Sequence, residues 1–342
     1  MAVRTEDEVR LGRAQIEILQ HAEGYFSSQV LFTLNELGVF DLLATEPKSL
    51  AELARAVGAL PDPMERVLNA GVAIGLLRIA DGHYSNSEAA KNTLVSGGRG
   101  YLGSWVRLMQ RWMRAWTGLT ESVLSGQPAE DPSLHLGGDP DYTLDFTMGM
   151  HDYAQLRGSE VVGYVDFSRG GRLLDVGGGP GTYSILFCRQ WPDLHCTVFD
   201  LPDVARLAAQ NAVLSGVEGR VSVRPGNYHE DDFGREEFDF VFVSDTLHQE
   251  SPETCEMILR KAHRALKPGG QVVVQAMFLN GDRMSPRWPV MHSLILLLVY
   301  EGGRAYTVTE TIRLLERAGF RNCTLRLMSL LNVNSLLVAD KD

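Results

Sequence analysis

The sequence predicts an α/β chain of two domains, a doubly wound parallel sheet following a helical N-terminal part. Three observations predict it. From Arg172 onward, apolar runs of strand length alternate with segments whose apolar residues fall at helical spacing, the pattern of strands joined by crossover helices. Within that region, Leu173 to Asp200 reads as a buried strand, a glycine loop, a helix and a second strand ending in an acid. Before residue 155 the apolar spacing is almost wholly helical. At 342 residues, with 44% apolar and 22% charged side chains, the chain is long enough to bury more than one core.

Taken in order, Ile16, Leu19, Phe26, Val30, Leu34 and Leu37 recur at helical spacing and stop at Gly38. Ser49 and Glu52 form a capping box for a helix to about Val57, with Gly58 as its stop. Asp62-Pro63 opens a third helix, aspartate as cap and proline at the first position, through Val67, Leu68, Val72 and Leu76. Asp81-Gly82 is the signature of a tight hairpin. Helix, turn, helix and hairpin describe a winged helix, so a DNA-binding regulator is one reading. Against it, Asp62 and Glu65 put acids where a helix that reads DNA needs cations or amides.

Trp105, Met109, Trp112 and Trp116 share one helix face. That stripe is either core or dimer packing, or in part the wall of a substrate pocket, with Trp105 the candidate. Gly126 to Pro140 is a long loop rich in Pro, Gly and Asp, and the stretch Phe146 to Tyr153 begins another helix. Strands are expected at 172–176, 195–199, 221–224, 238–244 and 271–278, then at about 323–328 and 333–339. Ser251 and Pro252 open a helix to about Leu266, and Thr307 with Glu310 makes a capping box for a helix that ends at Gly319. Ligands of such sheets bind beyond the carboxyl ends of the strands, which makes Asp175, Asp200, Asn227, Ser244, His248 and Gln275 site candidates.

The glycine loop narrows the ligand. Asp200, one β-α-β unit after Gly177, suits the two hydroxyls of a ribose. A dinucleotide fingerprint needs glycine where Thr182 stands, and a phosphate-cradling loop needs a lysine that is missing. What remains is acid-x-G-x-G-x-G, from Asp175 to Gly181.

Charge and cysteine content bound the partners. A formal net charge of −11 argues against nucleic acid and against anionic membrane. The four cysteines, at 188, 196, 255 and 323, form no CxxC pair and fit a reducing cytoplasm. The polar start, MAVRTEDEVR, has no signal-peptide core, and the longest apolar run, Leu294 to Tyr300, is too short to span a bilayer.

LLDVGGGPGTYS, the FDLP at 199–202, the GNY at 226–228, the strand FDFVFVSDTLH and the LKPGG at 266–270 together resemble one family. It is the S-adenosylmethionine-dependent small-molecule O-methyltransferases, which include caffeic acid, acetylserotonin and bacterial antibiotic-tailoring enzymes. The resemblance covers nearly the full chain. It implies a class I methyltransferase, Rossmann-like domain at 156–342 and a winged-helix-like dimerisation domain, contributing to the acceptor pocket, at 1–155. It implies a homodimer in the cytoplasm that acts on a small molecule. Position by position, it places Gly177 and Gly179 at the methionine moiety, Asp200 at the ribose, and Leu201, Asn227 and Tyr228 about the adenine. Asp175 belongs to the same loop, and Ser244 stands where a lysine is common near the carboxylate. Met150 and Asp152 match a segment of the acceptor pocket, and His248 the general base.

The plant enzymes flank that histidine with two glutamates, and here the matching positions are Ala276 and Ala305. His248, Gln275 and His292 come from separate loops at one sheet edge and offer an alternative, a divalent-metal site for C-methylation of a 2-oxo acid. The other reading of His292 is a pocket or packing residue.

Overall fold

The computed structural model describes residues 6–328 and 334–342; Met1 to Thr5 and residue 333, where the last strand is expected to start, lie outside the described residues. Contacts gather the chain into two compact units that divide between Gln110 and Arg111. In the N-terminal unit, α1 (Glu6–Glu23) and α2 (Tyr25–Glu36) are followed by α3 (Val39–Leu42), β1 (Lys48–Ser49) and α4 (Leu50–Val57). The Ser49–Glu52 capping box forms as expected, and Gly58 ends α4 in the left-handed conformation. α5 (Pro61–Ala73) differs: Leu60 is its cap and Pro61, not Pro63, lies at its start. Asp62 is thereby inside the first turn, where its carboxylate bonds Arg66 instead of capping. β2 (Leu77–Ala80) and β3 (His83–Asn86) pair across Asp81-Gly82, whose φ values of 50° and 73° supply the positive angles a two-residue hairpin requires. α6 (Glu88–Thr93) follows, then α7 (Gly103–Trp116), within which the division falls.

The C-terminal unit continues with α8 (Leu119–Ser125), a 3-10 turn (Pro132–Leu136), α9 (Pro140–Tyr164) and β4 (Gly171–Val176). α10 (Thr182–Gln190), β5 (Leu194–Asp200), α11 (Pro202–Leu214), β6 (Val221–Pro225) and β7 (Phe238–Ser244) come next. A 3-10 turn (Leu247–Gln249), α12 (Pro252–Ala265), β8 (Leu266–Ala276), α13 (Arg287–Val299), α14 (Val308–Ala318), β9 (Arg321–Leu327) and β10 (Ser335–Asp340) complete it. The long loop expected at 126–140 thus holds one short turn of its own.

The strands of this unit form one sheet in the order β6-β5-β4-β7-β8-β10-β9. β6 to β8 are parallel neighbours, whereas β10 runs antiparallel to both β8 and β9, so the sheet is mixed and not wholly parallel. Leu327 and Ser335 are too close in sequence for a crossover, which takes about a dozen residues or more. The central strands are buried on both faces, with side chains alternating between two cores, whereas the edge strand β9 is largely exposed. Leu174, Val176, Val241, Val243, Val272 and Val274 pack with Ile258, Leu259, Leu314 and Leu315 of α12 and α14. Leu173, Phe240, Phe242 and Val273 pack with Val161, Phe187 and Ala208 of α9, α10 and α11. This double burial explains why the strands read as continuous apolar runs.

Register fixes the functional edge. Val176 pairs with Val243, Ser244 with Gln275 and Asp200 with Pro225, so the carboxyl ends of β4, β5, β7 and β8 finish together. The chain leaves β4 toward β5 and β6, then returns to β4's other side as β7. That reversal opens a crevice beyond the strand ends. Among the described residues no helix is long and apolar enough to cross a membrane.

Candidate active site

β4 delivers Asp175 to this crevice, and the chain then turns through Gly177, Gly179 and Gly181 at φ +63°, +55° and +73°. Side chains rarely adopt those angles. A Cβ at Gly177 would also stand 2.7 Å from Thr246 Oγ1, so the loop lies directly on the turn after β7. Asp175 is 1% exposed: Ser184 Oγ donates to its Oδ2 at 2.7 Å, and its Oδ1 has no partner. Burial pushes its pKa up to about 7, with the Ser184 bond opposing. At the tip of β5, Asp200 accepts from Gly179 N–H at 2.8 Å and from Leu201 N–H at 2.7 Å. Burial outweighs those two bonds and holds its pKa near 6.

These groups border a cavity of the C-terminal unit, about 1160 Å³ with its open mouth included. Leu201, Gly226 and Tyr228 line it beyond β5 and β6, and Ser244, Asp245, Thr246 and Gln249 beyond β7. α9 contributes Phe146, Thr147, Met150 and Tyr153, and the preceding turn contributes His135. α9 is placed by its N-terminal end and its middle. Asp139 caps it, accepting from the Asp141 and Tyr142 N–H groups, and His151 Nδ1 lies 2.8 Å from Thr182 Oγ1 at the start of α10. Tyr142 is locked by Trp112 Nε1–H at 3.1 Å and by its own bond to Glu130 at 3.0 Å. Tyr228 donates to Glu250 at 2.7 Å.

His248 sits in the 3-10 turn after β7, 8% exposed, and its carbonyl accepts from Arg304 N–H. Its ring meets that of His292 edge to face, with centroids 5.1 Å apart. Burial drives the His248 pKa well below the usual imidazole value, reinforced by His292, and burial lowers His292 to about 4. Both imidazoles are neutral at pH 7. Gln275 is fully buried with its Nε2 donated to Tyr183 at 2.8 Å. His248, Gln275 and His292 are not among the residues that line the cavity.

The two imidazoles meet, and Gln275 donates its Nε2 to Tyr183 while its Oε1 and His292 Nε2 are buried without a hydrogen-bond partner; among the described residues no three His, Cys, Asp or Glu side chains are grouped to hold a metal ion. Of the other expected residues, Asn227 turns its side chain back to His229 N–H, and Asp152 is buried in α9, away from the lining. Trp105 is half-buried in the N-terminal unit and is likewise absent from the lining. Sequence reasoning passed over Thr246, Asp245, Tyr153 and His135. Asp245 carried a signal, since it directly follows Ser244 at a strand tip.

A left-handed glycine loop, a carboxylate at the next strand tip and a cavity at the switch point of a doubly wound sheet define an enzyme that binds a nucleoside-type cofactor. The O-methyltransferase domain family matches residues 133–321, and the O-methyltransferase dimerisation domain family matches residues 19–96. The chain belongs to this family of S-adenosylmethionine-dependent methyltransferases that tailor secondary metabolites. It is 32% identical over 302 residues to the 3-hydroxy-5-methyl-1-naphthoate 3-O-methyltransferase of Streptomyces sahachiroi, covering 87% of each chain. It is 31% identical to the acetylserotonin O-methyltransferase of Bos taurus, over 90% of this chain and 92% of that one. The crystal structure of human N-acetylserotonin methyltransferase in complex with SAM superposes with a TM-score of 0.87 at 27% identity, covering 100% of this chain and 99% of that one.

Proposed function

We propose that this chain transfers a methyl group from S-adenosylmethionine to a hydroxyl of a small acceptor, with His248 as general base. The observation that carries the reading is the clamp between Asp200 and the Gly179 N–H, which holds a carboxylate and a side-chain-free backbone at one cavity wall. Gly177 and Gly179 leave room for the methionine moiety, with Asp175 and Ser244 beside it. Asp200 accepts the ribose hydroxyls, and Leu201 and Tyr228 flank the adenine, with Asn227 holding the turn before Tyr228. Met150 closes the acceptor side from α9, and Asp152 supports that helix from within. The division of labour is a dimerisation and acceptor-pocket part to about residue 155 and a cofactor-binding part beyond it.

The bound cofactor supplies a sulfonium methyl. In the transfer the acceptor oxygen bonds to the methyl carbon, the carbon–sulfur bond breaks with its electron pair passing to sulfur, and the hydroxyl proton goes to His248. The imidazole is neutral at pH 7 and so has a lone pair to take that proton, while burial disfavours the imidazolium that results. α9 and the turn at 134–137 wall the cavity on one side.

The test is His248→Ala. Turnover falls by roughly 100-fold or more while S-adenosylhomocysteine affinity, by calorimetry, stays within about twofold. Unchanged turnover would remove His248 from the mechanism. Hydroxynaphthoates and N-acylated indoleamines are the acceptors to screen first, because the relatives above are named for acceptors of these kinds. Activity measured before and after chelator decides the metal-assisted alternative, which requires the treated protein to be inactive.

A further inference from the structure

We propose that Asp245 is the positioning carboxylate of His248: it takes the Nδ1–H of the imidazole and thereby leaves Nε2 bare toward the acceptor. The proposal rests on the reading of His248 as base. Its ground is the way Asp245 is held. The Asp245 backbone takes φ 51°, a left-handed angle uncommon for aspartate, and its N–H donates to Gln275 O at 3.0 Å. The side chain is gripped at one oxygen only. Asn334 Nδ2 donates to Oδ2 at 3.0 Å, and Asn334 Oδ1 in turn accepts from Arg157 at 2.8 Å. Arg157 is itself seated 3.7 Å over the ring of Tyr153. The other oxygen, Oδ1, is buried without a hydrogen-bond partner and faces His248 Nδ1 at 3.8 Å.

A buried carboxylate oxygen with no donor is costly unless a donor arrives. The nearest is the imidazole, and a shift of about 0.8 Å brings the pair within hydrogen-bond range, the kind of tightening that ligand binding produces in catalytic sites. Of the other polar groups around the pair, Tyr183 accepts from Gln275 Nε2, Arg157 donates to Asn334 and lies over Tyr153, and His292 meets His248 edge to face with its own Nε2 buried and unpartnered. Burial raises the Asp245 carboxyl to about 6, with Arg157 opposing, so it is an anion above neutrality and stabilises the imidazolium that proton abstraction creates. The arrangement also accounts for Ala276 and Ala305, where no carboxylate reaches the histidine. The carboxylate comes instead from the residue that follows β7, three before the histidine.

Asp245→Asn tests it, because asparagine keeps the shape but offers an N–H to Nδ1, which selects the wrong tautomer. In the S-adenosylhomocysteine complex of protein labelled with 15N-histidine, His248 is protonated at Nδ1 in the wild type and at Nε2 in D245N. With an acceptor that the wild type methylates, kcat of D245N falls by about 100-fold or more, KM moves less than about threefold, and the melting temperature is retained. The double variant D245N/H248A is no slower than H248A. A bare Nδ1 in the wild type, or a tautomer unchanged in D245N, overturns the proposal. So does full activity of D245N alongside an inactive H248A. An active H248A instead defeats the reading of His248 as base, and the tautomer measurement then decides Asp245 alone.

Discussion

Asp200 shows how far one side chain can carry a functional reading. Its two oxygens each hold a backbone N–H, from Gly179 and Leu201, yet burial keeps its pKa near 6. Ribose hydroxyls would donate to the ionised carboxylate, so the bound state favours the deprotonated form and cofactor affinity falls as the pH drops through about 6. We expect S-adenosylhomocysteine to bind at least tenfold more weakly at pH 5 than at pH 7.5 by calorimetry. Asp200→Asn weakens binding at pH 7.5 by about 1.5–3 kcal/mol, the worth of a charge-assisted hydrogen bond, weakens it correspondingly less at pH 5, and so flattens the pH dependence. A wild-type profile flat from 5 to 7.5 would mean that Asp200 does not bear the ribose. The sign for stability is separate. A carboxyl whose pKa is raised in the fold costs stability as pH climbs from the ordinary carboxylate range to the raised value, so Asp175 and Asp200 both weaken the cofactor-free fold between about pH 4 and 7.

The unit formed by β4, the glycine loop and α10 was legible because all of its signals are contiguous: an apolar run, three glycines at alternate positions and a helix pattern. What stands opposite the loop was not legible. Thr246 reaches Gly177 only because the β4–β7 pairing sets Val176 beside Val243, and no local pattern announces that register. The same holds for Asp245 and Asn334, which meet across long sequence separations. At the sheet's end the alternation rule misled, since α14 is followed by two strands with too little chain between them for a parallel crossover. Capping boxes at Ser49 and Thr307 were readable because the cap and its glutamate are three residues apart. The loop also yields a test at this scale. Gly177→Ala adds a Cβ at φ +63° and 2.7 Å from Thr246 Oγ1, so we expect a loss of about 1–3 kcal/mol in urea unfolding and cofactor binding below detection. Thr246→Ala in the same chain relieves the contact but not the backbone angle, and should restore only part of the stability. Full restoration would assign the whole defect to the contact.

At the scale of the molecule, the N-terminal unit leaves large apolar side chains in water. Ile16 is 56% exposed, Leu19 54% and Phe26 54%, along α1 and α2. Ile16 and Leu19, three residues apart, share a helix face, and Leu19 and Phe26, seven apart, continue it across the junction at Gly24. Isolated exposed apolar residues need no explanation, but a run along consecutive helices marks an interaction surface. Leu19 and Phe26 fall within the residues matched by the dimerisation domain family, which identifies a second copy of the chain as the partner. A stable dimer buries at least about 1,200 Å² in total, and charges at the centre of such a patch oppose its burial. The combined variant Leu19→Asp, Phe26→Asp should therefore elute as a monomer by light scattering at micromolar concentration, where the wild type is a dimer. Neither residue lines the cavity of the C-terminal unit where we propose that the cofactor binds, so S-adenosylhomocysteine should still bind the monomer with an affinity within about threefold of wild type. A variant that remains a dimer would place the interface on other residues of the matched domain, and loss of cofactor binding in a folded monomer would make the dimer part of the cofactor site itself.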